Sequence, residues 1–185
     1  EKWNKDRLSS YLIEITKNIF TKNDNRSGKY IVDLILDKAK QKGTGKWTSQ
    51  HAMDIGINVP TIDAAVSMRI ISSFKRIREK TSNIYDTKRV GRINISEDDL
   101  EKSLYFGFII SYVQGLSQLK MASEVFHYNL DLELICRIWR GGCIIRANLL
   151  ESIREAYNKN KSIDNLLQDS DFSKIILGCE SSIRK

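Results

Sequence analysis

The residues from 96 to about 125 constrain the fold most, because they predict one long helix that needs neighbours on several sides. Ser96 and Asp99 form a capping-box pattern, a hydroxyl residue followed three positions later by an acid, which is typical of a helix N-terminus. Apolar residues then occur on several faces of the predicted helix: Leu104, Phe108, Ile109, Ile110, Tyr112, Val113, Leu116 and Leu119. A helix that is apolar all round belongs in the interior of a protein. We therefore expect an all-α fold, a multi-helix bundle around this long central helix.

Small residues recur at every fourth position of the same segment, at Ser103, Gly107, Ser111 and Gly115. One interpretation is that the glycines only weaken the helix, each by about 1 kcal/mol relative to alanine. Because four small residues stand in register, we instead expect another backbone to pack closely against them.

Apolar periodicity and turn-forming residues divide the rest of the chain into shorter helices. Leu8, Tyr11, Leu12, Ile15 and Ile19 predict the buried face of a first helix, which the polar segment 23–28 ends. Further helices are predicted at 31–38, 47–55, 130–139, 146–158, 163–168 and 171–177. Another is predicted from Pro60 onward, with a buried stripe of Ile62, Val66, Ile70 and Ile77. The polar stretch 80–94 is expected to be a loop, and residues 1–185 a single domain.

Net charge and cysteine content limit the kinds of binding partner and the cellular compartment that we expect. The net charge of +7 suits nucleic acid, an anionic membrane or a phosphorylated small molecule. Most of the 30 basic residues are dispersed without interleaved aromatic residues, so we expect them to solvate helix faces. Cys136, Cys143 and Cys179 form no CxxC pair, which favours free thiols in a reducing cytosol over a disulfide or zinc framework. We expect neither a signal peptide nor a membrane-spanning segment.

The segment 41–48, Gln-Lys-Gly-Thr-Gly-Lys-Trp-Thr, contains a glycine-rich turn between predicted helices. It does not match the P-loop, because Trp47 follows the Gly-Lys pair where serine or threonine is required. It does not match the dinucleotide-binding fingerprint either, because Thr48 stands at the place of the last glycine. Flexible backbone before a helix start, flanked by Lys42, Thr44 and Lys46, could still bind an anion. From the residues alone, a glycine turn with solvated lysines is the favoured interpretation.

Three other residues could carry chemistry, and each also has a structural interpretation. Arg69 lies between apolar neighbours in a predicted helix and therefore needs an anionic partner or a route to solvent. An ordinary ion pair is the favoured interpretation from the residues alone. Cys143 has no activating neighbour in sequence and is expected to be an inert thiol. His51 is expected to be a packed or surface residue.

Several segments, in this order, resemble the decarboxylating 6-phosphogluconate dehydrogenases: 3–5, 12–16, 41–48, the helix with Arg69, 111–115, and Trp-Arg-Gly-Gly-Cys-Ile-Ile-Arg at 139–146. The resemblance implies an all-α domain between an N-terminal Rossmann domain that binds NADP and a C-terminal tail that reaches the partner subunit. It implies a cytoplasmic homodimer that oxidises 6-phosphogluconate at C3 and decarboxylates it to ribulose 5-phosphate, in the oxidative pentose phosphate pathway, without a metal.

The resemblance also assigns roles to individual residues. It implies that Lys42, Thr44 and Arg69 bind the substrate phosphate, which reverses the interpretation favoured by the residues alone. Lys46 is given only a loop role. The family's catalytic lysine and glutamate and its nucleotide fingerprint do not occur in these residues. We therefore expect a fragment of a longer chain, with no catalytic and no cofactor-binding residue of its own.

Two alternatives remain open at this stage. The chain could be the helical domain of another β-hydroxyacid dehydrogenase, which the long matches at 41–48 and 139–146 disfavour. It could also be a non-catalytic basic helical module that binds nucleic acid. The leading hypothesis, a 6-phosphogluconate dehydrogenase segment, predicts binding of neither nucleic acid nor membrane.

Overall fold

A computed structural model describes residues 1–85 and 94–185, and these form an all-α structure without a β-strand. The helices are α1 (Tyr11–Phe20), α2 (Ile31–Leu34), α3 (Thr44–Asp54), α4 (Pro60–Ser73), α5 (Lys75–Ser82), α6 (Glu97–Phe126), α7 (Leu132–Arg140), α8 (Leu149–Lys159) and α9 (Ser170–Ile183). Short 3-10 helices lie at Lys2–Lys5 and Leu166–Gln168. The expected fold class, a helical bundle around a long central helix, is confirmed.

The central helix is α6, which is 30 residues long. Its predicted capping box is present: the Ser96 hydroxyl accepts from the Asp99 amide at 3.1 Å, and the Asp99 carboxylate accepts from the Ser96 amide at 3.1 Å. Every residue from 101 to 123 is at least partly buried. The helix therefore has neighbours on all sides, as its apolar pattern predicts.

The main hydrophobic core lies between α6, α8, α9 and the N-terminal segment. Its fully buried members include Leu8, Ile109, Leu150, Ile153 and Phe172. No described hydrophobic residue between 31 and 85 belongs to this core, although Ala52 and Val59 are almost fully buried outside it. The segment from α2 to α5 is therefore a peripheral part of the fold, and this placement explains most of the departures from the sequence-based expectations.

Two helices near the N-terminus differ from prediction. Leu8 is fully buried but precedes α1, and α1 packs on the core through Ile13, whereas Leu12 and Ile19 are exposed. The predicted helix 31–38 ends at Leu34. Ile35 is extended, and the Lys38 amide donates to the Leu36 carbonyl at 2.7 Å rather than to the carbonyl of Leu34, as a helix would require.

The buried stripe predicted for α4 is wrong within this chain. Ile62 and Val66 are half-buried, but Ile70 and Ile77 are 45% and 58% exposed. The helix also breaks at Phe74, so Ile77 belongs to α5. Because α4 and α5 lie outside the core, their apolar residues are not covered by it. The start of the predicted 80–94 loop is the end of α5, and residues 86–93 of that loop lie outside the described part of the chain.

The close packing predicted along Ser103, Gly107, Ser111 and Gly115 is also wrong within the described chain. A Cβ atom placed on Gly107 or Gly115 would meet no described atom within 4 Å. Ser111 donates to the Gly107 carbonyl of its own helix at 2.8 Å, and only Ser103 reaches another helix, donating to the Ser182 carbonyl at 3.3 Å. The C-terminal half follows prediction with two exceptions. The predicted helix 163–168 is only a short 3-10 helix, Leu166–Gln168, and α9 extends to Ile183 rather than ending near Leu177.

Candidate anion-binding site

The peripheral helices α3 and α4 pack tightly against each other through a glycine. Gly43 has a φ of +110°, a left-handed conformation that favours glycine, and α3 begins directly after it at Thr44. A Cβ atom on Gly45 would lie 3.0 Å from Cγ2 of Val66 on α4. The close approach of the two helices therefore depends on the absence of a side chain at Gly45.

The loop before α3 and the second half of α4 enclose an open cleft of about 650 Å³. Among the described residues its walls carry basic side chains and no acidic one: Lys38, Ala39, Lys40, Gln41, Lys42, Gly43, Lys46, Arg69, Ile70, Ser73 and Phe74. Concentrating cations of one sign in a concave surface raises the local concentration of anions. The geometry thus suits an anionic ligand.

Arg69 is held at the cleft by its Nε atom, which donates to the Lys40 carbonyl at 3.1 Å. This contact ties α4 to the opposite wall and leaves the terminal guanidinium nitrogens for a ligand. Arg69 forms no ion pair with any residue in the ranges 1–85 and 94–185. The structural ion pair favoured by the residues alone is therefore not observed there.

The structure brings together two of the three residues expected at a phosphate. Lys42 and Arg69 line the same cleft, on its two walls. Thr44 is not part of the lining; it is the first residue of α3, and its carbonyl accepts from the Thr48 hydroxyl at 2.9 Å. Lys46, to which only a loop role was assigned, lies in the first turn of α3 and does line the cleft.

The remaining chemical candidates have structural roles. His51 stacks on Phe126 with ring centroids 5.8 Å apart, and its Nδ1 lies 3.1 Å from Nε2 of Gln118. Cys136 and Cys179 are buried free thiols, and burial raises the pKa of Cys136 to about 12, so that it is protonated and inert at neutral pH. Cys143 is a half-buried free thiol.

The described residues offer neither a metal site nor a membrane-spanning helix. They contain no group of three or more histidine, cysteine or acidic side chains that could hold a metal ion. None of the helices in the same ranges combines the length and the apolarity needed to cross a membrane.

A sequence model of the 6-phosphogluconate dehydrogenase C-terminal domain matches residues 1–185, the full length of the chain. The chain belongs to the 6-phosphogluconate dehydrogenase family. It is 46% identical to the NADP(+)-dependent decarboxylating 6-phosphogluconate dehydrogenase of Bacillus subtilis, over 99% of this chain and 40% of that protein. The decarboxylating enzyme of Buchnera aphidicola is 48% identical, with the same coverage. The chain thus spans about 40% of the length of these relatives.

A solved 6-phosphogluconate dehydrogenase from Plasmodium falciparum has the same fold. It superposes with a TM-score of 0.92 at 44% identity, over 99% of this chain and 40% of that one. The Plasmodium enzyme is described in its apo form and in complexes with NADP+ and with 6-phosphogluconate.

Two glutamines of this chain contribute to the geometry of the site and were not predicted. Gln114 contacts the N-terminus of α4, where its Oε1 accepts from the amides of Thr61 and Ile62 at 3.0 and 3.3 Å. Gln118, only 7% exposed, donates to the Thr48 carbonyl of α3 at 3.0 Å. The sequence signal for both contacts was a glutamine within the largely apolar segment 104–119, because a buried polar group needs a hydrogen-bond partner.

Proposed function

We propose that this chain is the substrate-binding and dimerisation domain of an NADP-dependent, decarboxylating 6-phosphogluconate dehydrogenase. The complete enzyme would convert 6-phosphogluconate to ribulose 5-phosphate and CO2 in the oxidative pentose phosphate pathway. The family match and the identities of 44–48% to named 6-phosphogluconate dehydrogenases favour this function over another β-hydroxyacid dehydrogenase or a nucleic-acid-binding module.

The observation that carries the proposal is the cleft that contains Lys42 and Arg69 without an acidic side chain in its lining. A phosphate dianion matches such a site, since a guanidinium can donate two parallel hydrogen bonds and an ammonium adds a second cation. The N-terminus of α3 has no side-chain cap, so its first amides and Thr44 are available beside the cleft. We assign Lys42, Thr44 and Arg69 to the phosphate of 6-phosphogluconate.

Binding the phosphate at this cleft would orient the reacting end of the substrate at a distance. Contacts to a remote, non-reacting group contribute to rate by fixing the substrate in a productive geometry. We infer that NADP binding and the proton and hydride transfers belong to parts of the enzyme that this chain does not include, and that no metal takes part. The three free cysteines support a cytoplasmic location.

A homodimer is the proposed assembly. An apolar patch at the α4–α5 junction, formed by Ile71, Phe74, Ile77 and Tyr85, lines a cleft of about 570 Å³ and is exposed in the single chain. Contiguous exposed apolar surface of this kind is typical of an interaction site.

Kinetics of the complete enzyme test the phosphate assignment. A hydrogen bond to a charged group is worth about 1.5–3 kcal/mol, so Lys42→Ala or Arg69→Ala should raise the Michaelis constant for 6-phosphogluconate roughly ten- to a hundredfold. The Michaelis constant for NADP should change little. A matched control is Lys22→Ala, an exposed lysine outside the lining of the cleft, which should leave both constants unchanged.

A further inference from the structure

We propose that Gln114 is a positioning residue for the phosphate cleft and that it acts on Arg69 through α4. The inference rests on the proposed function, since it concerns the geometry of the same cleft.

The main hydrophobic core does not fix the position of the cleft. That core contains no residue of α3 or α4, and the cleft is lined by the loop before α3, by Lys46 of α3 and by the second half of α4. Between α6 and these two helices, the described side-chain hydrogen bonds are those of Gln114 and Gln118. Directional hydrogen bonds from two glutamines one turn apart on the central helix therefore help to set the positions of α3 and α4.

Gln114 supplies the N-terminal cap that α4 lacks. The N-cap residue is Val59, which has no side-chain acceptor, and Pro60 at the first helical position has no N–H. The Asp63 amide donates to the Val59 carbonyl at 2.9 Å, which leaves the amides of Thr61 and Ile62 without a partner inside the helix.

The side-chain amide of Gln114 meets this need from another helix. Its Oε1 accepts from both free amides, and its Nε2 donates to the Thr61 hydroxyl at 3.0 Å. Three hydrogen bonds from one side chain therefore attach the start of α4 to α6 and fix its direction.

The cap at the start of α4 affects the position of Arg69. Arg69 follows Ile62 by about two helical turns, roughly 10 Å at 1.5 Å per residue. A small tilt of α4 at its N-terminus is therefore carried to the guanidinium. Gln118 meanwhile holds α3, the helix that follows the Lys42 loop, through the Thr48 carbonyl. The separation of the two cations thus depends on both glutamines, and Gln114 controls the Arg69 side.

The test uses the complete enzyme and two substitutions at one position. Gln114→Ala removes all three hydrogen bonds and should raise the Michaelis constant for 6-phosphogluconate about tenfold, the factor that corresponds to about 1.4 kcal/mol. Gln114→Glu keeps both acceptor bonds to the α4 amides, and the Thr61 hydroxyl can turn to donate to the carboxylate. This variant should therefore retain a Michaelis constant close to that of the unsubstituted enzyme.

A double-mutant cycle separates positioning from general destabilisation. If Gln114 acts through Arg69, Gln114→Ala should add less than about twofold in an Arg69→Ala background, because coupled residues are not additive. Ser117→Ala is the matched control, since Ser117 lies on the same turn of α6 but accepts from Asn165 on the other side of the helix at 3.1 Å. It should leave the Michaelis constant unchanged.

Each outcome bears on a specific claim. The positioning role would be overturned if the factors by which Gln114→Ala and Arg69→Ala raise the Michaelis constant simply multiply in the double mutant. It would also be overturned if Gln114→Glu raises the Michaelis constant as much as Gln114→Ala does. An unchanged Michaelis constant in Arg69→Ala alone would instead overturn the phosphate assignment on which the role rests. Should Gln114→Ala fail to fold, Thr61→Val, which removes only the hydroxyl contact, replaces it in the cycle, with an expected rise of about twofold.

Discussion

At the scale of single residues, Gly45 decides how closely α3 approaches α4. A Cβ atom there would lie 3.0 Å from the Val66 Cγ2 atom, and valine is too stiff to rotate away freely. The spacing of the two helices beside the cleft therefore depends on the absence of a side chain at position 45.

A pair of alanine substitutions tests this spacing. Gly45→Ala should lower the free energy of unfolding by about 1–3 kcal/mol through overpacking. Gly107→Ala is the matched control on α6, where a Cβ atom meets nothing, and it should raise that free energy by roughly 0.5–1 kcal/mol through helix propensity. Urea denaturation measures both. A gain in stability for Gly45→Ala would contradict the contact, and a loss for Gly107→Ala would reveal a neighbour from outside this chain.

The site shows what residue-level reasoning could and could not predict. The segment 41–48 was recognisable as an anion-binding candidate because glycines and lysines lie together in the sequence. Arg69 and Lys42 come from separate elements, so their meeting in one cleft depends on non-local packing, and physical reasoning alone favoured solvated lysines and an ion pair. The partners of Gln114 and Gln118 were unpredictable for the same reason.

At the scale of helices, the carboxylate of Asp99 stabilises the N-terminus of α6. It accepts from the Ser96 hydroxyl at 2.7 Å, from the Lys185 ammonium at 2.9 Å and from the Ser182 hydroxyl at 3.0 Å. The pKa of Asp99 lies well below its usual range. The largest cause is the hydrogen bond from the Ser96 hydroxyl, and the next is the hydrogen bond from Lys185. One side chain therefore caps α6 and ties it to the end of α9.

The depressed pKa gives a prediction with a definite sign. A carboxyl whose pKa is lowered on folding stabilises the protein above its unfolded pKa of about 4, and this contribution is lost as the pH falls through the folded value. Asp99→Asn should therefore lower the melting temperature at pH 7 and flatten its decline between pH 7 and pH 3. Asp98→Asn, at an exposed i,i+4 ion pair with Lys102, is the control and should change little. Equal effects of the two substitutions at pH 7 would contradict the role of Asp99.

Helices were predicted well where the residues that define them lie within one turn. They were predicted poorly where burial depends on packing against distant parts of the chain. The capping box of α6 and the Pro60 start of α4 depend on residues within one turn, and both were recognised from sequence. The shortness of α2 and the exposure of Ile70 and Ile77 follow from the position of α2–α5 outside the core. The spacing of apolar residues does not reveal that these helices lie outside the core, because a helix that packs on a partner chain has the same apolar spacing as one that packs on its own core.

At the scale of the whole molecule, the exposed patch of Ile71, Phe74, Ile77 and Tyr85 predicts association. Light scattering on the complete enzyme at micromolar concentration should show a dimer. Ile77→Lys, which places a charge in the patch, should shift the population toward monomer. Leu177→Lys on α9, where the leucine is 68% exposed but outside the patch, is the control. A monomeric unsubstituted enzyme would contradict the proposed assembly.

The central claim is that this domain recognises the phosphate of its substrate, and the selectivity for that group tests it most directly. The measurement is kcat/KM for 6-phosphogluconate and for gluconate, which lacks the phosphate, in the unsubstituted enzyme, Lys42→Ala and Arg69→Ala. The account predicts that each substitution lowers the value for 6-phosphogluconate by roughly ten- to a hundredfold and leaves the value for gluconate nearly unchanged, because the lost cations would have nothing to bind. Equal losses on both substrates, accompanied by a lower melting temperature, would contradict it and return these side chains to a structural role.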